Sequence, residues 1–324
     1  MSVNVIHISP TPLVGAPAKV TRVLNTNGFE ALHICLRDYP SGGPLSGKFI
    51  ADSLIVDNAD DYCLDSIDHA LAQADIIHVH NDLPAEQQDW IQGLAPRAAY
   101  VYQVHSPLGE GPLYYERAKT IRLPFRARLV VGQYQPRHYP DYTPVPNLVL
   151  DQPTINLRKQ GEPLRVLFSP SHTRGGRWNS KCSDSLMKIL EALATLGKIE
   201  LVTPEKPLSP STLMFLRKTC HVTIDEIVTG AFHQVSLEGL CAGNIVVNRA
   251  DFFCRAMMAQ CADTEDLPPF TYADEQTAQE LLINLSDDFE LTRRLQQESY
   301  DYYCEHLRPE ALIKPYIKVY DNVL

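Results

Sequence analysis

Short apolar runs rich in valine and isoleucine alternate with segments of helical periodicity along the whole chain, and no other feature restricts its fold as much. Residues 3–8, 31–36, 53–56, 75–81, 98–104 and 129–132 have strand composition. Residues 18–27, 64–74 and 85–94, between them, carry apolar positions at helical spacing. The pattern resumes at 164–168, 198–202, 220–224 and 245–247, with helical segments at 184–196, 211–218 and 235–241. Parallel strands need a crossover connection, so this alternation predicts an α/β protein with parallel sheets covered by helices on both faces. Helical segments at 252–261, 274–285, 289–306 and 309–320 close the chain, the last opening on Pro309, a residue suited to a first helical turn. A length of 324 residues fits two domains. The polar, breaker-rich stretch 151–163 reads as the linker between them.

Composition removes several function classes. A net charge of -10 argues against nonspecific nucleic-acid binding by the whole surface, while allowing a local basic patch. No apolar stretch approaches the ~20 residues that span a bilayer. The start, MSVNVIHISP, lacks a basic leader region, so no signal peptide is expected. Eight cysteines are scattered without a CxxC pair, so neither a zinc site nor a disulfide framework is expected, and no metal ligands are assigned. A cytoplasmic protein with reduced cysteines fits this usage.

Candidate chemistry lies where strands run into loops, because ligands of open α/β sheets gather beyond the carboxyl ends of strands. His80, Asn81 and His105 occupy such ends, and Gly15 lies in the breaker-rich loop after the first strand. After 164–168 comes SPSHTRGGRWNSK, a Gly-rich cationic loop holding Arg174, Arg177 and Lys181 ahead of a helix. Cations there suit a diphosphate leaving group as its charge develops. Neither GxGxxG nor GxxxxGK[ST] is present, so a dinucleotide site and a P-loop are unsupported. The stretch GAFHQVSLEGLCAGNIVVN, from Gly230 to Asn248, reads as a turn, an amphipathic helix with Glu238 as its acidic residue, and a buried strand. Its helix start offers backbone N–H groups to an anion. A basic run, ERAKTIRLPFRAR, holds Arg117, Lys119, Arg122, Arg126 and Arg128, and reads either as a solvated face or as a patch for an anionic partner.

These motifs, in this order, resemble the GT-B-fold glycosyltransferases of the large retaining family (family 4-like, group 1). The carriers are Gly15 in the first loop, the His-x-His-Asn strand end at 78–81, His105, the Pro-Asn segment at 146–147, Lys181 at a helix start, and Glu238. The resemblance implies two Rossmann-like domains facing across a cleft: 1–150 for the acceptor, 151–308 for the nucleotide-sugar donor, and a helix at 309–324 crossing back to the first. It implies that Lys181, with Arg174 or Arg177, stabilises the diphosphate, that Glu238 holds the donor ribose, and that His105 meets the sugar or acceptor. Gly15 and Gly230 would line the donor site, Gly230 standing where many members have a glutamate and Cys182 where they have a glycine. Sequences beginning this stretch with an aspartate, as at Asp225, form a related subset.

The resulting expectation is a cytoplasmic hexosyltransferase, retaining and metal-independent, using a UDP- or GDP-sugar co-substrate, with peripheral membrane attachment left open. Its acceptor would be anionic: a lipid carrier, a membrane surface or DNA. Two alternatives stay open, a catalytically silent GT-B protein that binds nucleotide sugars, and a glycosyltransferase acting on a modified DNA base.

Overall fold

The computed structural model describes residues 2–43, 45–57, 59–107, 118–170, 184–206 and 208–324. Its contacts divide the chain into two units, Met1–Leu148 with Pro309–Leu324, and Val149–Arg308.

In the first unit, seven strands form one parallel sheet: β1 (Val3–Ser9), β2 (Phe29–Cys35), β3 (Leu54–Ile55), β4 (Ile76–His80), β5 (Ala99–Val104), β6 (Phe125–Val131) and β7 (Thr143–Val145). Their order is β3-β2-β1-β4-β5-β6-β7. The chain thus builds outward from β1 in one direction, returns, and builds from β4 in the other. The boundary between β1 and β4 is a topological switch point, where adjacent crossovers diverge and leave a crevice at the strand ends. Val5, Ile8, Ile34, Ile76, Val79, Val101 and Leu129 are fully buried, as expected of a sheet covered on both faces.

The second unit repeats the arrangement with β8 (Leu164–Phe168), β9 (Ile199–Val202), β10 (Val222–Ile224), β11 (Ile245–Asn248) and β12 (Thr271–Tyr272), in the order β12-β11-β10-β8-β9, all parallel. Its switch point lies between β8 and β10. Leu186, Leu190 and Leu193 of the helix Asp184–Thr195 pack with Leu282 and Leu285 of the helix Ala278–Asp287 over Val166 and Ile199. No helix among the described residues is long and apolar enough to cross a membrane.

The helix Gln234–Cys241 lies close on this sheet because Gly239 has no side chain. A Cβ there would come within 2.7 Å of Val246 Cγ2 and 3.2 Å of Thr223 Cβ. Gly239→Ala is therefore expected to cost about 1–3 kcal/mol by overpacking. Denaturant unfolding checks this, and an unchanged midpoint would show that the helix can shift freely.

Three local expectations change. The stretch expected as a linker is a strap bound to the second unit. Arg158 donates its backbone N–H to Gln296 Oε1 at 3.0 Å and Nη1 to the Leu285 carbonyl at 2.9 Å, while Gln296 Nε2 donates to the Asn156 carbonyl at 2.9 Å. The last helix is two, Pro309–Leu312 and Lys314–Val323, with Pro315 restarting it at a position where a missing N–H is harmless. Strand β6 begins at Phe125 rather than Leu129, so Arg126 and Arg128 are strand residues.

Candidate functional site

At the carboxyl edge of the first sheet, β1 leads into the loop holding Gly15, β4 into Asn81, and β5 into His105. Leu13, Val14 and Gly15 are all left-handed, at φ 48°, 55° and 77°. That conformation costs non-glycine residues energy, so this loop is strained beside the switch point. Val14 N–H is held by Tyr39 Oη at 3.0 Å, and Gly15 N–H donates to the Pro12 carbonyl at 2.8 Å. Asn81 is also left-handed, a conformation asparagine tolerates. Its Oδ1 accepts the His105 backbone N–H at 2.9 Å, its own N–H reaches the Gln103 carbonyl at 2.8 Å, and Tyr102 Oη donates to its carbonyl.

His105 joins a buried chain of histidines. Its Nε2 lies 2.8 Å from His80 Nδ1, and His80 Nε2 lies 2.9 Å from His7 Nδ1. His7 Nε2 is 3.3 Å from Tyr320 Oη, which is 2.7 Å from His78 Nδ1. His33 sits alongside, with Nε2 at 2.8 Å from Ser9 Oγ and Nδ1 at 2.6 Å from Ser53 Oγ. Register explains the assembly: His33 pairs with His7, and His7 with His78, across β2, β1 and β4. Burial holds His33, His78 and His105 neutral, with pKa values lowered to about 3. Burial and then the neighbouring imidazoles push His7 and His80 further down. Sequence reading placed His80 and His105 at strand ends, and the structure joins them. It passed over His7, His33 and Tyr320, each of which looks like an ordinary core residue until the register is known.

His7, His78 and His80 offer ring nitrogens within 4.8 Å of one another, a set that could in principle hold a metal. The geometry favours hydrogen bonds instead. The His78 and His80 rings stack at 4.3 Å and 20°, so their edges do not converge, and the nitrogens of His7 and His80 face each other, Tyr320 and His105.

In the second unit, β10 runs into a loop organised by two carboxylates. Glu226 accepts the N–H groups of Val228 and Thr229, both at 2.7 Å, and the Thr229 hydroxyl at 2.6 Å. Asp225 Oδ2 accepts the His233 N–H at 2.6 Å and the Ser236 hydroxyl at 2.7 Å. Burial pushes the Asp225 pKa up, but His233 and these hydrogen bonds outweigh it, and the net shift is downward. Part of the anion-binding capacity expected at this helix start is thus taken by the protein's own Asp225. Gly230 has φ 83°, a conformation that would strain a glutamate, so the departure at this position follows from the backbone of the loop.

Glu238 projects from the helix Gln234–Cys241, and its Oε2 accepts from Arg217 Nη1 at 2.7 Å. The Arg217 side chain is fully buried, whereas that of Glu238 remains 19% exposed. Glu238 therefore has one oxygen fixed on Arg217 and a second left to accept from a ligand hydroxyl. Sequence reading missed Arg217, which sits at a helix end where a surface cation is the ordinary expectation.

Arg174, Arg177 and Lys181, together with Arg117 of the basic run, lie outside the described residues. Of the remaining run, Arg122 is paired with Asp89 at 2.7 Å. Lys119, Arg126 and Arg128 line a surface hollow of about 370 Å³ with Phe125, Asp141 and Tyr142.

No family model matches the chain, and no curated protein matches it. Solved structures do. An alpha-glucosyltransferase in complex with UDP and a 13-mer DNA containing an HMU base is 13% identical, with TM-score 0.66 over 99% of this chain and 100% of that one. A glycosyltransferase from Rickettsia africae ESF-5 is 13% identical, with TM-score 0.58 over 100% of this chain and 99% of that one. Sucrose-phosphate synthase from Thermosynechococcus elongatus is 12% identical, with TM-score 0.57 over 98% of both chains. The fold is the GT-B type. At these identities the likeness carries the fold alone.

Proposed function

We propose that the chain is a glycosyltransferase that moves a sugar from a nucleotide-sugar donor to an acceptor, with the donor held by the second unit. One observation carries this reading. The two stretches with donor-type residues, 169–181 and 225–238, follow β8 and β10, the strands that flank the second sheet's switch point. That is where α/β sheets bind nucleotides. In this reading Glu238, oriented by Arg217, accepts from the ribose hydroxyls. Lys181, with Arg174 or Arg177, meets the charge that develops on the diphosphate as the glycosidic bond breaks. His105, with Gly15 beside the first sheet's switch point, meets the reacting sugar or acceptor. The family resemblance supports retention at the sugar carbon and transfer without a metal.

Lys181→Ala is expected to lower kcat/KM by about 100–1000-fold, the usual consequence of removing one group that stabilises transition-state charge. Turnover of a UDP- or GDP-sugar with a panel of acceptors measures it, and near-normal turnover would remove Lys181 from the chemistry.

The hollow lined by Lys119, Arg126 and Arg128 supports an acceptor with negative charge. A base in DNA is one such acceptor, and one structural neighbour was solved with UDP and DNA. DNA binding through this hollow would weaken steeply with salt. Absence of binding at low salt would leave a phosphate-bearing carrier or a lipid surface as the acceptor.

A further inference from the structure

In the second unit the ring of His233 is set by hydrogen bonds whose directions are fixed by backbone N–H groups. Ala250 donates its N–H to Asn248 Oδ1 at 3.0 Å, which leaves the Asn248 Nδ2 amide on Ser236 Oγ at 2.9 Å. An amide nitrogen only donates, so Ser236 accepts there and gives its own proton to Asp225 Oδ2 at 2.7 Å. The same oxygen accepts the His233 backbone N–H at 2.6 Å. Asp225 Oδ2 therefore receives two donors and carries no proton. Asp225 Oδ1 lies 3.2 Å from His233 Nδ1. Imidazole is a stronger base than a carboxylate by about 2–3 pH units in water, so the proton between them stays on Nδ1. In the neutral ring Nε2 is then a bare acceptor.

His233 stands immediately before the helix Gln234–Cys241, in extended backbone, and its side chain caps nothing on that helix. Asp225 follows β10 and Asn248 ends β11. The set thus lies at the carboxyl ends of two strands, one of which flanks the switch point. Ser236 and Asn248 are fully buried. The His233 side chain keeps 15% of its surface exposed, which leaves room for a ligand to reach it, and Nε2 makes no hydrogen bond to a described residue. A buried frame holds the ring from one edge and leaves one acceptor atom on the other.

We propose that His233 Nε2 accepts a hydrogen bond from a hydroxyl of the transferred sugar, with Asp225, Ser236 and Asn248 as positioning residues. The assignment rests on the glycosyltransferase reading. A bare nitrogen needs a donor, and a diphosphate oxygen brings no proton to share. The hydroxyls of a nucleotide sugar belong to its ribose and to the transferred sugar. Glu238 takes the ribose, five residues and about 7.5 Å of helix rise further on, which leaves the sugar to His233.

Calorimetric titration of the full chain tests it, with UDP against UDP-glucose and GDP against GDP-mannose, at pH ~8, where an ordinary imidazole is neutral. His233→Asn is the informative variant, because its amide can still donate to Asp225 while the atom in the place of Nε2 is gone. The expected result is a nucleotide sugar bound about 3–10-fold more weakly, the usual effect of one hydrogen bond, with the matching nucleoside diphosphate unchanged. Equal weakening of both would put the contact on the nucleoside diphosphate and overturn the proposal, as would no change in either. If the unaltered protein binds none of the four, the glycosyltransferase reading falls as well, so the two failures are distinguishable. Nitrogen NMR with ¹⁵N-labelled histidine, the His233 ring being assigned from its own backbone amide, gives a readout that needs neither ligand nor variant. A protonated Nδ1 and a bare Nε2 are expected at the same pH, and a proton on Nε2 would overturn the proposal even where His233→Asn folds poorly.

Discussion

Acidification is expected to unfold the first unit between about pH 6 and 4, ahead of most carboxylate protonation. His7, His33, His78 and His80 are fully buried and neutral. In the folded state His33 and His78 titrate near about 3, and His7 and His80 lie well below the ordinary value, chiefly because burial penalises the charged ring. The unfolded chain binds protons at these sites near pH ~6.5, while the folded chain does not. Stability is therefore fully present above that pH and is lost as pH falls toward the folded values. Each group adds a slope of up to about 1.4 kcal/mol per pH unit, and together the four reach about 5 kcal/mol per unit. A typical domain has only about 5–15 kcal/mol in total. In the second unit His221 acts in the same sense, with its pKa lowered to about 4 by burial. An acid titration followed by tyrosine fluorescence and circular dichroism should show an early cooperative loss. His33→Gln, which keeps groups for Ser9 and Ser53 to bond, should flatten the slope by about a quarter of that total. Stability that stays level down to pH ~4 would mean that the row of histidines is solvated or charge-compensated.

The second large effect concerns the Arg217–Glu238 pair. Glu238→Ala leaves a fully buried guanidinium without its carboxylate, which costs about 3–5 kcal/mol. The guanidinium has no surplus of partners to compensate, since Nε and Nη2 are already buried without one among the described residues. Replacing both partners by apolar residues removes the uncompensated charge, so Arg217→Met with Glu238→Leu should recover most of that stability. The double variant therefore separates the two roles of Glu238. It should fold and still fail to bind the donor, because no carboxylate faces the ribose. Binding as tight as that of the unaltered protein would make the pair structural only.

The parallel α/β architecture was legible because β-branched runs and helical periodicity alternate in a way few other folds use. Boundaries slipped where composition and environment disagree. Residues 125–128 look like a charged loop, yet Phe125 and Ala127 face inward while Arg126 and Arg128 face outward, which is the alternation of a strand. The stretch at 151–163 reads as a linker because most of its polar residues are exposed, yet Arg158 is buried and bonds Gln296 and the Leu285 carbonyl. For the site, the loop positions of Gly15 and Gly230 and the helix position of Glu238 were readable from local chemistry. The partners that set their behaviour were not. Arg217 meets Glu238, and Tyr320 meets His78, only through packing between elements distant in sequence. Gly230 illustrates the reverse case, a residue whose sequence meaning was ambiguous until its left-handed backbone supplied a reason.

The most direct test of donor binding is thermal unfolding of the full chain with a panel of nucleotides and nucleotide sugars. A ligand at ~100 times its dissociation constant adds about 2.7 kcal/mol, a shift of several degrees for a protein of this size. The expected result is a shift confined to one nucleotide family and absent in the Arg217→Met, Glu238→Leu variant. No shift with any uridine, guanosine, adenosine or thymidine diphosphate or its sugars would contradict the account, leaving a GT-B fold without its donor chemistry.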